Sequence, residues 1–366
     1  MDVYRPIGIA IAGLGFREKV HLPALRGCPN TEPVAVWHPC KRYIESMNGS
    51  EGLECYTDFD ELLQDPRVEG IVIATPPASR FELAKAALNA NKHILLDSPI
   101  CLRTDQIQQL QRSALSKKLS IGVDLEYRAI PIFQQLAQLI HNGVLGNSYL
   151  IKLDWLMGSR ISTYAPSNWY SQENECEGII GNLGIHSFDL LHWLIGPLHS
   201  IAALKKTIVP LRPISAFPDK KAFVKTEDIA LLQLELKGLS EINIAANLNL
   251  SSVTQEGRGF WAEFYGNEST LIIGGEKQND SVHSFGLWMA PKGHSFRLLP
   301  TDPSLSFDLT WNDSRVAPVS RIQDWWAISI RSGQPMVPGL GEGYWSQKAF
   351  ELAQIAAKTE QRQYLF

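Results

Sequence analysis

His186 and Asp189 stand three residues apart where an apolar run begins, within "GIIGNLGIHSFDLLHWLIG" (178–196). On a helix that spacing puts both side chains on one face. A carboxylate beside an imidazole fixes its tautomer and raises its basicity, as proton transfer to or from a substrate requires. The plainer alternative is a helix start in which Asp189 is a structural hydrogen-bond partner, because isolated His/Asp pairs are common.

A second group of residues has the chemistry of phosphate binding. Gly13-Leu14-Gly15 follows the apolar stretch "IGIAIAG" (7–13). Glycines at a strand-to-helix turn allow a tight bend and let backbone N–H groups approach a pyrophosphate at the helix N-terminus, although Gly-x-Gly also serves an ordinary turn. Phe16 and Arg17 continue that turn as candidate cofactor contacts. Where the fingerprint has Gly or Ala, the chain has Arg17-Glu18-Lys19. Glu18 brings a negative charge toward the phosphates, which Arg17 or Lys19 can offset by pairing with them. The next apolar run ends "VWHPCKRY" (36–43), with no acid before Glu45. An acid there holds the ribose 2′-hydroxyl of NAD. His38, Lys41 and Arg42 instead suit a 2′-phosphate or, otherwise, a solvated basic loop. NADP(H) is therefore favoured, with NAD(H) the alternative.

These residues need a frame. "PVAVW" (33–37), "GIVIAT" (70–75), "HILLD" (93–97) and "LSIGVD" (119–124) join the first run as short apolar strands. Helices are expected over "VHLPALRG" (20–27), over 79–91 with Ser79 as N-cap and Asn91 as stop, and over 104–118 with Thr104 as cap and Asp105 in the first turn. Apolar strands alternating with helices predict a doubly wound parallel sheet covered on both faces. From about residue 148 the pattern changes to period two. Leu232, Leu234 and Leu236 alternate with polar residues, as do Ile242, Ile244, Ala246, Leu248 and Leu250, and 260–275 reads as a hairpin turning at Gly266-Asn267. Helices close the chain: Ile322, Trp325, Trp326 and Ser329 precede a Gly/Pro loop at 333–343, and Trp345, Ala349, Leu352 and Ala356 then run along one face. The expected class is α/β: a Rossmann-type domain over 1–124, and a C-terminal α+β substrate and oligomerisation domain with a large, mostly antiparallel sheet over 125–366, its last helices packing back on the first domain. A ligand is expected in the cleft between domains, and one sheet face is left for helices or a partner subunit.

Composition narrows the partners. The 366 residues carry a net charge of −4, without the basic stripe that a nucleic-acid binder needs. No run reaches a membrane span, and the N-terminus lacks the flanks of a secretory signal. Five scattered cysteines without a Cys-x-x-Cys pair predict reduced thiols, no zinc site and a cytosolic protein.

The whole chain resembles the Gfo/Idh/MocA family of NAD(P)-dependent oxidoreductases, which includes glucose–fructose oxidoreductase and inositol dehydrogenase. "IAGLGFREKVHLPAL" is similar to the family's first strand, glycine turn and helix. "ATPPASRFELAKAALNANKHILLDSPI" is similar to its Thr-Pro-x-x-x-His…Ala-Gly-Lys-His-Val…Glu-Lys-Pro stretch, and "GIIGNLGIHSFDLLHWLIG" to its Gly-x-x-x-Asp-x-Gly-x-His-x-x-Asp block. The resemblance implies that Gly13 and Gly15 contact pyrophosphate and that Thr75, Pro76 and Pro77 line the nicotinamide ribose, with Asp97 also on the cofactor. It implies that His186 is acid/base and Asp189 its orienter, and that Tyr127, Arg128, Trp169 and Asn182 face the substrate, a polar sugar or cyclitol or else a larger planar tetrapyrrole. It also implies a homo-oligomer, dimer or tetramer, through the C-terminal sheet.

Three positions depart from the family pattern. Asp97-Ser98-Pro99 replaces Glu-Lys-Pro, Asn182 replaces Asp, and Arg80 replaces a frequent His. Serine cannot replace an ammonium near neutral pH. The first reading is an oxidoreductase in which His186 handles the proton and Ser98 only hydrogen-bonds. The second is a catalytically impaired NADP-binding sensor or partner subunit. The third, glycosidic cleavage through oxidation and elimination, is disfavoured by loss of the lysine.

Overall fold

In the computed structural model the described residues are 5–13, 17–47, 52–167, 171, 178–214, 217–238, 242–275, 280 and 284–365. The chain divides into one unit of Met1–Ala129 with Phe307–Tyr344 and a second of Ile130–Ser306 with Trp345–Phe366.

The first unit holds β1 (Ile7–Ala12), α1 (Leu22–Gly27), β2 (Thr31–Trp37), α2 (Lys41–Met47), β3 (Glu54–Tyr56), α3 (Phe59–Gln64), β4 (Gly70–Ile73), α4 (Pro77–Asn89), β5 (His93–Asp97), α5 (Thr104–Lys117) and β6 (Ile121–Asp124). β1, β4 and β6 are buried along their whole lengths, as strands covered on both faces must be. The six strands pair in parallel in the order β3-β2-β1-β4-β5-β6. Strand order reverses at β1, so the carboxyl ends of β1 and β4 flank the crevice where such sheets take ligands. Later in the chain, α8 (Val316–Ser332) sends Ile322, Trp326 and Ala327 into the core with Ile9, Ile11 and Leu95.

Three expected starts move. α4 begins at Pro77 with Pro76 before it, so Ser79 is not the cap; its hydroxyl donates to the Pro76 carbonyl. Proline at the first helical position has its φ already set and no N–H to leave unsatisfied. In α5 the Gln106 side chain accepts from the Leu102 and Arg103 N–H groups, making Thr104 the first helical residue rather than the cap. The first helix opens as a π turn, Arg17–His21, before α1.

The second unit begins with α6 (Pro131–His141), β7 (Ser148–Leu156), α7 (Ile185–Leu194) and β8 (Leu198–Lys206). The small β9 (Leu211–Ile214) and β10 (Phe217–Phe223) pair follows, then β11 (Ile229–Leu236), β12 (Ile244–Ser251), β13 (Gly259–Gly266), β14 (Ser269–Gly275), β15 (Gly286–Pro291) and β16 (Arg297–Leu299). α9 (Leu340–Thr359) and β17 (Gln363–Tyr364) close the chain. The nine-stranded sheet runs β16-β15-β14-β13-β7-β12-β11-β8-β17, antiparallel throughout except for β7 beside β12. Ala230, Leu232, Leu234 and Leu236 are buried while Leu231 is exposed, as period two predicts. Phe133, Trp155, Phe260 and Phe285 form an aromatic core with centroids 5.1–5.8 Å apart. The opposite face carries Trp261 stacked on Trp288. Ile242, expected inside a strand, is exposed: the β11–β12 ladder ends at Leu236–Ile244 and leaves it outside.

Candidate active site

The first unit gathers most of the expected cofactor residues at the carboxyl ends of its strands. Gly13 has φ +95°, a conformation open to glycine and strained for other residues, and its N–H donates to the Trp37 carbonyl at 2.7 Å. Gly15 and Phe16 lie outside the described residues, and Arg17 opens the π turn. Past β2, His38 Nδ1 accepts from the Cys40 N–H at 3.0 Å, which leaves its other nitrogen as the protonated one. Lys41 and Arg42 are exposed in the first turn of α2, which holds no acid.

Thr75 follows β4. It is buried, and its hydroxyl finds no hydrogen-bond partner among the described residues. An orphaned buried hydroxyl beside a left-handed glycine turn fits a polar ligand at the strand ends. Pro76 and Pro77 start α4 directly after it. Ser98 is half-buried after β5. After β6 the short 3₁₀ turn Glu126–Ala129 carries Tyr127 and Arg128. Arg128 is buried, and burial together with Glu126 raises the Tyr127 phenol, so Tyr127 is a neutral hydrogen-bonding group.

Beneath Ser98 lies a charged cluster. Arg80, 2% exposed, donates from Nε to the Thr75 carbonyl at 2.5 Å and from Nη1 to the Asp97 carbonyl at 2.6 Å. Nη1 also donates to the Pro99 carbonyl, and Nη2 to Asp97 Oδ2 at 3.1 Å. Asp97 and Asp124 end adjacent parallel strands in register. Burial first, then Glu126 and Asp97, push the Asp124 carboxyl well above the usual carboxylate range. His21 Nε2 stands 3.6 Å from Asp124 Oδ2. His21, Asp97 and Asp124 are the one His/carboxylate set among the described residues with ligand atoms within 4.8 Å of one another. A guanidinium already pairs with Asp97, and burial biases Asp124 toward its protonated form.

The second unit places Asn182, His186 and Asp189 on one helical segment. Asn182 sits in a π turn, Ile180–Gly184, that runs into α7, and His186 and Asp189 lie in the first turns of α7. His186 is half-buried and Asp189 buried. The segment is anchored at its start. Glu227 accepts the Ile179 N–H on its carbonyl and the Ile180 N–H on Oε1. Gly178, at φ +79°, passes so near that a Cβ there would lie 2.4 Å from the Glu227 carboxylate. A carboxylate at a helix N-terminus complements its dipole. Asn182 also lines a cavity of about 10 Å³ with Arg160, Arg212, Glu227 and Asp228, space for about one water. Trp169 lies outside the described residues.

Sequence reasoning missed His21, Asp124 and Glu227, and it noted Arg80 only as a departure. "HILLD" and "LSIGVD" both end in aspartate, a visible sign of paired carboxylates at neighbouring strand ends. Nothing in the local sequence marks His21 or Glu227, whose partners are distant in the chain.

Comparison with known proteins adds to this geometry. A family model described as "Oxidoreductase family, NAD-binding Rossmann fold" matches residues 7–125, and one described as "Oxidoreductase family, C-terminal alpha/beta domain" matches 137–365. An uncharacterized oxidoreductase of Synechocystis sp. is 35% identical over 95% of this chain and 93% of its own. Glucose-6-phosphate 3-dehydrogenase of Bacillus subtilis is 25% identical over 94% of each chain. The solved structure of levoglucosan dehydrogenase in complex with NADH and L-sorbose shares the fold, with a TM-score of 0.87 at 17% identity over 99% of this chain and 100% of that one.

Proposed function

The chain belongs to the Gfo/Idh/MocA family of NAD-binding oxidoreductases, and from that premise we propose that it interconverts a hydroxyl and a carbonyl on a sugar-like substrate, with His186 as acid/base. Support for the cofactor end comes from Thr75, whose buried hydroxyl lacks a partner where β4 meets the crevice, and from the left-handed turn at Gly13. Gly13, Gly15, Phe16, Arg17, Thr75, Pro76, Pro77 and Asp97 would hold the dinucleotide. When bound, its nicotinamide supplies or takes up the hydride. His38 and Arg42, with the exposed Lys41, favour NADP(H) over NAD(H) because the first turn of α2 holds no acid to bind a 2′-hydroxyl and repel a 2′-phosphate.

In the oxidising direction His186 takes the proton from the substrate hydroxyl as the C–H bond gives up its hydride. In the reducing direction His186 returns that proton to the new alkoxide oxygen. Asp189 orients the imidazole, and Asn182 donates to or accepts from a substrate hydroxyl with no charge of its own. Ser98 hydrogen-bonds where the family resemblance has an ammonium, and Tyr127, Arg128 and Trp169 line the substrate side. Two relatives support the carbohydrate class, a glucose-6-phosphate 3-dehydrogenase and a levoglucosan dehydrogenase.

The open face of the large sheet, with its Trp261–Trp288 stack and exposed Leu231, suits pairing with a second copy. The four described cysteines are free thiols, in keeping with a reducing cytosol. One observation favours the second reading, a binding subunit without turnover: the buried cation Arg80, which bonds the residues on either side of Ser98, is committed to carbonyl groups and the Asp97 carboxylate. Incubating the protein with NADPH or NADH and a panel of aldoses, ketoses and cyclitol ketones decides between them. Slow nucleotide oxidation with a sugar carbonyl is expected. Binding without turnover across the panel would favour the second reading, and absence of binding would overturn both.

A further inference from the structure

We propose that Arg80 is a positioning residue for the nicotinamide end of the cofactor site, locking the loop after β4 to the loop after β5 so that Thr75 and Ser98 keep a fixed relation. The inference rests on the dinucleotide reading above and deepens it. Its basis is the buried guanidinium, which spends its donors on four acceptors: the carbonyls of Thr75, Asp97 and Pro99 and the Asp97 carboxylate. Two of those carbonyls belong to the residues on either side of Ser98. The third belongs to the residue whose hydroxyl has no partner among the described residues.

Side-chain chemistry makes this a task for arginine. Its planar fork offers five donors in fixed directions, whereas a lysine presents one rotating point charge and a histidine at most two ring donors. The chain has lost the ammonium that the family resemblance expects at position 98 and has gained a cation at position 80 in place of a His. That cation is held beneath the turn by backbone acceptors, so it fixes the geometry of the turn and does not reach a reacting oxygen. Hydrogen bonding to the Asp97 carbonyl also polarises the peptide it shares with Ser98, which strengthens the Ser98 N–H as a donor toward a ligand.

The test separates nicotinamide positioning from general stability without needing the substrate. Binding of NADPH and NADH is compared with binding of 2′-phospho-ADP and ADP, which lack both the nicotinamide and its ribose, in the unmodified chain, Arg80→Gln and Arg80→Lys. Loss of charge-assisted hydrogen bonds should weaken nicotinamide nucleotide binding by about tenfold or more in both variants, with the ADP ligands changed by less than about twofold. Arg80→Lys keeps the positive charge beside Asp97 and serves as the folded variant should Arg80→Gln not fold. In Arg80→Ala, millimolar guanidinium should restore the nicotinamide preference where equal sodium chloride does not. An equal loss for both ligand classes, full retention by Arg80→Lys, or no change in any variant would overturn the positioning role alone. Failure of the unmodified chain to bind any of the nucleotides would instead overturn the cofactor reading on which it rests.

Discussion

At Ser98 the chain carries a hydroxyl where the family resemblance implies an ammonium, and the local charge bears on that difference. Arg80 neutralises Asp97 from below, so an added cation is not required to balance that carboxylate. Restoring the ammonium that the resemblance implies, Ser98→Lys should raise turnover if the pocket still takes a substrate typical of the family, measured as kcat for sugar-dependent NADPH oxidation; loss of existing activity would mean that the pocket is built around a neutral residue. His186→Asn should lower kcat by about 10²–10⁴-fold, the usual range for a lost acid/base, while the dissociation constant for NADPH stays the same. An unchanged kcat would remove His186 from the chemistry. The roles proposed for Gly13, Thr75 and His186 could be named from sequence because each sits in a short local motif. The Arg80 clamp could not, because its acceptors at Asp97 and Pro99 come from the next strand and its loop.

Among the elements, the strands were the most legible. β1, β4, β5 and β6 fall within the apolar runs because burial on both faces leaves few other residue choices. Helix starts were less so, since Pro76-Pro77 and the Gln106 side chain settle them through backbone geometry rather than hydrophobic pattern. Trp326 of α8, fully buried in the core of the parallel-sheet unit, should be costly to truncate. Trp326→Ala is expected to lose about 3–5 kcal/mol, read from the urea midpoint of that unit's unfolding; a loss under about 1 kcal/mol would contradict the packing. Acid should act just past the end of α3. Hydrogen bonds from Arg67 Nε and Nη2 hold the Asp65 carboxyl at about 2, below its ordinary 3.8. A depressed folded value stabilises the fold above pH ~4, and the contribution is lost as pH falls from there through about 2. Asp65→Asn should accordingly flatten the loss of thermal stability between about pH 4 and pH 2. An unchanged acid profile would show that the ion pair contributes nothing.

For the whole molecule, two units divide the work: a parallel sheet whose strand ends suit a dinucleotide, and a large sheet with one buried face, one open face and a helix bearing Asn182, His186 and Asp189. The period-two pattern of β11 and β12 makes that open face legible in the sequence. If a second copy covers it, Trp261→Glu should shift the light-scattering mass to that of the 40.9 kDa chain. A mass equal to that of the unmodified protein would place the interface elsewhere. The account as a whole depends on a nicotinamide dinucleotide bound at the turn after β1. Titrating NADPH with the purified chain and following nicotinamide fluorescence tests this most directly, with Gly13→Val as control because φ +95° strains any other side chain. The account predicts a saturable signal below millimolar concentration that Gly13→Val removes. No change in NADPH fluorescence up to millimolar protein and nucleotide, or a signal unaffected by Gly13→Val, would contradict it.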